Sequence, residues 1–226
     1  MVNWFSVALG LLPAIIWMAF FLQEDKKRPE PKRLIISTFL LGGAIAFVTL
    51  QFQTVFSDMF TSIGVRAYSP FSVFWLAGIE EFFKFLVVFL WVSKRKDFDE
   101  PIDAMIYMII AALGFATVEN IASVARATNG FELVTLRFLG ATFLHTLSSG
   151  LLGYYWALGL LRKTVISFLA AGWFVATLLH SIFNALILIY GPVYQVTIFL
   201  VFIALFVLSD FEKLKSVEED EISTLK

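Results

Sequence analysis

The sequence predicts an all-α, polytopic membrane protein with about seven transmembrane helices. Three observations predict it. The 226 residues are 59% hydrophobic and only 15% charged, where a soluble domain is about 45–50% apolar and about 25% charged. Mean hydropathy is +0.84. The apolar residues are gathered into runs of roughly the 17–25 residues that cross a bilayer as a helix, separated by short polar connections.

Seven spans follow in order: 2–22, 34–56, 70–92, 102–124, 138–160, 166–189 and 194–209. "QEDKKRPEPKR" follows the first, "SKRKDFDEP" the third, "RK" the fifth, and "YGP" separates the last two. Pro70 and Pro101 stand at helix starts, where a missing N–H costs little. The first span lacks a basic n-region and a small-x-small cleavage site, so it reads as a span rather than a cleaved signal peptide. Residues 1–209 form one transmembrane helical domain, and 210–226 a charged, frayed cytoplasmic tail. The sequence shows no internal repeat.

Orientation follows from the basic residues. The connections after odd-numbered spans, with the tail, hold Lys26, Lys27, Arg28, Lys32, Arg33, Lys94, Arg95, Lys96, Arg162, Lys163, Lys213, Lys215 and Lys226; the other side holds Arg66, Arg126 and Arg137. Thirteen against three places the N-terminus outside and the C-terminus in the cytoplasm. The composition also excludes several function classes. With no cysteine there is no disulfide, thiol catalysis or Cys-ligated metal. No basic patch points to nucleic acid. The 26 Phe and 6 Trp suit lipid-facing surfaces and interface belts.

Four of the helices carry a polar stripe at i, i+3, i+4 and i+7, the spacing of one helix face. The third span gives Ala77, Glu80, Glu81 and Lys84, and the fourth Ala116, Glu119, Asn120 and Ser123. The fifth gives Thr142, His145, Thr146 and Ser149, and the sixth Thr177, His180, Ser181 and Asn184. With a 1.5 Å rise per residue, Glu80 and Glu81 lie mid-span, while Glu119, His145 and His180 lie about 9, 6 and 4 Å outward of their span centres. The helices alternate in direction, yet the displacements share one sign. The titratable groups therefore fall in one layer, from the midplane toward the exterior, between spans 3 and 6.

Facing lipid singly, three Glu and one Lys would cost about 10–14 kcal/mol, so they must face one another, water or an ion. Glu80 and Lys84, at i and i+4, are the expected ion pair. The remaining negative charge calls for protons or a divalent cation. Glu81, Glu119, His145 and His180 are the candidate ligands, a set that suits Zn2+; no other cofactor is expected. Plainer readings stand beside these. A helix His is often a packing residue, the Glu–Lys pair can be structural glue, and Asn, Ser and Thr often only bond across helices. The Gly and Ser of "LSSGLLGYYWALG" read as close-packing contacts, and Asp103, in a first helical turn, suits the helix dipole.

The cluster nevertheless holds the parts of a hydrolytic centre: a carboxylate beside His to deprotonate water, and His180 with Asn184 one turn on as oxyanion donors. A metal would lower the pKa of water directly. Buried Glu and His also build proton relays, which leaves a proton- or cation-coupled transporter as the alternative, and a non-enzymatic membrane sensor as a third. Against transport, there is no pair of Gly- or Pro-broken helices of the kind used at the midplane.

"EEFFK" (80–84), "LGFATVEN" (113–120), His145 in "FLHTLSSGLLGYYWALG" and "HSIFN" (180–184) together resemble the PrsW family of bacterial intramembrane proteases, distantly similar to CAAX-processing and bacteriocin-immunity membrane proteases. The ordered set spans about residues 70–190. The resemblance implies that Glu80, Glu81, His145, His180 and Asn184 form the active centre, supported by Lys84, Glu119 and Asn120. Glu80 or Glu81 would be the general base, in a metal-dependent or glutamate-dependent mechanism. It implies residence in the bacterial cell membrane. It also implies a substrate, a single-pass anti-sigma factor cut near the extracytoplasmic face as the first step of regulated proteolysis.

Overall fold

A computed structural model describes residues 2–24, 28–191 and 194–224. Lys26, Lys27 and Lys226 of the basic count, and Pro192 of the "YGP" connection, lie outside the described residues. All regular structure among the described residues is helical: α1 (Trp4–Phe21), α2 (Lys32–Ser62), α3 (Pro70–Trp91), α4 (Pro101–Val124), α5 (Gly130–Leu139), α6 (Ala141–Leu161), α7 (Val165–Tyr190) and α8 (Tyr194–Thr224). Four of them, α1, α2, α4 and α7, are long and apolar enough to cross a membrane.

Helix α4 is the axis of the fold. Every residue from Ile102 to Thr117 is buried, and α1, α2, α3, α5, α6 and α8 all pack on it. Small residues permit the close approaches. A Cβ on Gly42 or Gly114 would overlap the carbonyl oxygen of Ala111 or Phe39, so α2 and α4 meet backbone to backbone. A Cβ on Gly153 would stand 2.6 Å from the Ala104 carbonyl oxygen, which seats α6 on α4 in the same way. Interfaces of this kind hold helices together where lipid offers no hydrophobic drive. The outer helices turn large apolar side chains outward, among them Phe47 of α2, Phe82 of α3, Phe174 of α7 and Leu205 of α8.

The helices differ from the expected spans in three places. The segment expected to start the fifth span at 138 is broken at Gly140, whose φ of −111° and ψ of −102° are not helical. The residues before it form the separate helix α5, capped by the Asn129 side chain, which accepts from the Glu132 N–H. Helix α2 runs past 56 to Ser62, because nothing breaks it before Gly64 at φ +82°. Helix α8 continues beyond 209 to Thr224; Phe211 and Leu214 are buried, so the start of the charged segment is packed rather than frayed.

Candidate active centre

The stripes of α3, α4, α6 and α7 meet. Helix α3 is capped by Ser69, whose hydroxyl accepts from the Ser72 N–H, with Pro70 as its first residue. It then turns Ala77, Gly78, Glu80, Glu81 and Lys84 into the protein. Glu81 is completely buried and accepts four hydrogen bonds. Oε1 receives Lys84 Nζ at 2.8 Å, Ser148 Oγ at 3.0 Å and His180 Nδ1 at 2.9 Å, and Oε2 receives Ser149 Oγ at 2.9 Å. Lys84 is equally buried. Its ammonium also lies 2.8 Å from His145 Nδ1 and 4.9 Å from the centre of the Phe115 ring.

This corrects the expected ion pair: Lys84 bonds Glu81 at i−3, not Glu80 at i−4. Glu80 instead receives Gln53 Nε2 of α2 on Oε1 at 2.8 Å. Its other oxygen, Oε2, is buried without a hydrogen-bond partner, 3.6 Å from His180 Nε2. Ser148 and Ser149, expected as packing residues, are hydroxyl donors to the buried anion.

The two imidazoles stand edge to face with ring centres 5.0 Å apart, and their partners separate their roles. His180 donates Nδ1–H to Glu81, which leaves the Nε2 lone pair facing Glu80. An ammonium has only donors, so Lys84 makes His145 Nδ1 an acceptor. That leaves Nε2–H to donate to Glu119 Oε2 at 3.0 Å. Glu119 in turn receives Arg137 Nη2 at 3.0 Å. Asn120 donates to Thr142 Oγ1 at 2.9 Å and accepts from Arg137 Nε at 2.5 Å. Asn184 sits one turn beyond His180, half-buried; among the described residues its amide makes no hydrogen bond.

Glu80, His145 and His180 can each bring a ligand atom within 4.8 Å of the others. The donor set fits a divalent cation. Glu80 Oε2 is buried with no hydrogen-bond partner, and His180 Nε2 keeps an open lone pair while a carboxylate holds its other nitrogen, the usual outer support of a ligating imidazole. The grouping differs from the expected ligands. Glu81 is occupied by four donors, and Glu119 is shared by His145 and Arg137, so the carboxylate within reach is Glu80.

Gln53 and Arg137 were missing from the sequence-level site. Gln53 lies in a span with no charged centre, so no stripe marked it. Arg137 was counted only as an exterior charge. The interruption at Gly140, ahead of the polar stripe of the fifth span, is the signal that could have separated its helix. Asp103 behaves as expected for a first-turn carboxylate: its Oδ2 accepts from the Asp99 and Glu100 N–H groups at 2.8 and 2.9 Å.

The family model described as "PrsW family intramembrane metalloprotease" matches residues 30–209. The Protease PrsW of Oceanobacillus iheyensis is 32% identical over 184 residues, 79% of this chain and 80% of that protein. That of Geobacillus kaustophilus is 29% identical over 184 residues, 80% of this chain and 79% of that protein. That of Bacillus subtilis is 28% identical over 217 residues, 93% of this chain and 96% of that protein. No solved structure matches the chain.

Proposed function

The chain belongs to the PrsW family of intramembrane metalloproteases and is a membrane-embedded protease, and from that premise we propose that Glu80, His145 and His180 are the heart of its active centre. The observation that carries the reading is the unpartnered, buried Glu80 Oε2 beside His180 Nε2. A buried carboxylate oxygen without a donor is costly unless something else occupies the position. Water in the resting enzyme, or an ion, would occupy it.

Glu80 is the general base, chosen over Glu81 because Glu81 is spent on four donors. Glu80 takes a proton from the attacking water as the oxygen bonds to the peptide carbonyl carbon. The same proton is then returned to the leaving amine as the C–N bond breaks. Asn184 donates to the developing oxyanion, a role its unbonded amide supports; His180, whose N–H goes to Glu81, keeps only a lone pair and is not the oxyanion donor the sequence suggested. Glu81 is the anchor. It fixes the ring of His180 through Nδ1, and through Lys84 it fixes His145. Glu119 and Asn120 support the outer side. Glu80 and His180 would hold a divalent metal, joined by His145 through Nδ1 once Lys84 releases that nitrogen; Zn2+ suits the donors, and such an ion supplies Lewis acidity toward water and a carbonyl oxygen.

The substrate we propose is a single-pass membrane protein of anti-sigma-factor type, cut near the extracytoplasmic face of the bacterial cell membrane. His145 lies in the first turns of α6 and Glu119 in the last turns of α4, so the centre is nearer one end of these helices. The excess of basic residues at the opposite ends supports an N-out, C-in chain with that end outside. In this arrangement α1–α4 and α6–α8 supply the seven spans of the protease domain, residues 1–209, and residues 210–226 extend into the cytoplasm.

The test is full-length protein in liposomes with a tagged single-pass substrate. One discrete product, lost on chelation and restored by Zn2+, is expected. A product that survives exhaustive chelation would assign the work to the carboxylates alone. Ion flux without any product would favour the transporter reading.

A further inference from the structure

Most of the candidate centre lies inside the bundle, but Glu119 reaches its surface, with a third of its side chain exposed. Beside it lies α5, ten residues long. This helix is held from behind by α1. Trp17 donates its indole N–H to the Phe138 carbonyl at 3.0 Å and stacks between the Phe138 and Phe143 rings, at 5.1 and 4.2 Å. The residue before Phe138 is Arg137, and the Trp17 contacts fix the backbone from which its side chain departs.

The Arg137 guanidinium engages two consecutive α4 residues at once, Nη2 to Glu119 and Nε to Asn120. Each is tied to α6 on its other side, Glu119 to His145 and Asn120 to Thr142. We infer that Arg137 is a positioning residue of the active centre: it holds the Glu119 carboxylate against His145 Nε2 and so sets the orientation of that ring. The inference deepens the proposed function, since it rests on His145 belonging to the centre. A single oxygen, Glu119 Oε2, receives both the imidazole and the guanidinium. Without the guanidinium, a carboxylate at the protein surface can rotate toward water and release the ring. Two donors in a rigid plane are what guanidinium offers and ammonium does not, so lysine is an incomplete substitute.

The experiment measures kcat and KM of reconstituted full-length protein for wild type, Arg137→Gln, Arg137→Lys, Glu119→Gln and the Arg137→Gln/Glu119→Gln double variant, with thermal unfolding in detergent alongside. Loss of an outer partner of a site imidazole costs about 10–100-fold. Arg137→Gln is therefore expected to lower kcat by that factor with KM unchanged, and Arg137→Lys to recover part of it. The double variant is expected to be no slower than Glu119→Gln, because both changes remove one linkage. Wild-type kcat in Arg137→Gln, a loss that only follows the folded fraction, or effects that multiply in the double variant would overturn the inference. Full activity of His145→Ala, measured in the same series, would instead defeat the reading beneath it.

Discussion

At the scale of single residues, two adjacent carboxylates of one helix have opposite surroundings. Glu81 is saturated with donors, and Glu80 keeps a bare oxygen. The difference is testable through Lys84, which has no exposed surface. Removing one member of a buried ion pair costs about 3–5 kcal/mol, because the other charge is left uncompensated. Glu81→Ala is therefore expected to lower thermal stability by that amount as well as activity, and Glu81→Ala/Lys84→Met to regain most of the stability but none of the activity. Unfolding followed in detergent checks this; an undiminished midpoint in Glu81→Ala would show that the pair does not hold the bundle together. The residue types of the cluster were legible in the sequence, and the stripes of α3, α4, α6 and α7 do converge. The partners were less so. Spacing alone allows Lys84 to reach either Glu80 or Glu81, and the choice falls to Ser148, Ser149 and His180, which come from other helices and crowd Glu81.

At the scale of elements, the centre is registered by glycines as much as by its polar groups. A methyl group on Gly114 would overlap the Phe39 carbonyl oxygen, and backbone cannot step aside as a side chain can. On Gly43, one turn along the same interface, the nearest atoms would be 3.4 Å away, close but accommodating. Gly114→Ala is expected to destabilise by about 1–3 kcal/mol or more, the range for overpacking, and Gly43→Ala by much less. Thermal unfolding of the two variants side by side checks the contrast; equal effects would mean that α2 and α4 are not seated as described. Helix boundaries followed hydropathy well in α1, α3, α4 and α7. Hydropathy could not resolve α5, because apolar residues on both sides of Gly140 carry the signal across the break, and only backbone geometry shows the interruption. Nor could it end α2 or α8. Their last turns are polar enough to leave lipid, while no residue there forces the helix to stop.

At the scale of the whole molecule, packing of α3 and α6 on α4, and of α7 on α3 and α6, converts four separate stripes into one polar interior. Each of α3, α6 and α7 is costly to bury alone with its charged or imidazole groups, and Glu81, Lys84, His145 and His180 find their partners only when α3, α4, α6 and α7 are assembled. Assembly of the bundle and assembly of the candidate centre are thus the same event, and the proposed hydrolysis would take place inside the protein. The direct measurement is cleavage of a single-pass membrane substrate by reconstituted full-length protein, with wild type and Glu80→Gln compared at equal folded amounts. Loss of a general base costs about 100–10,000-fold, so wild type is expected to release one discrete product and Glu80→Gln to be slower by that factor with its fold intact. Product released by Glu80→Gln at the wild-type rate would contradict the account.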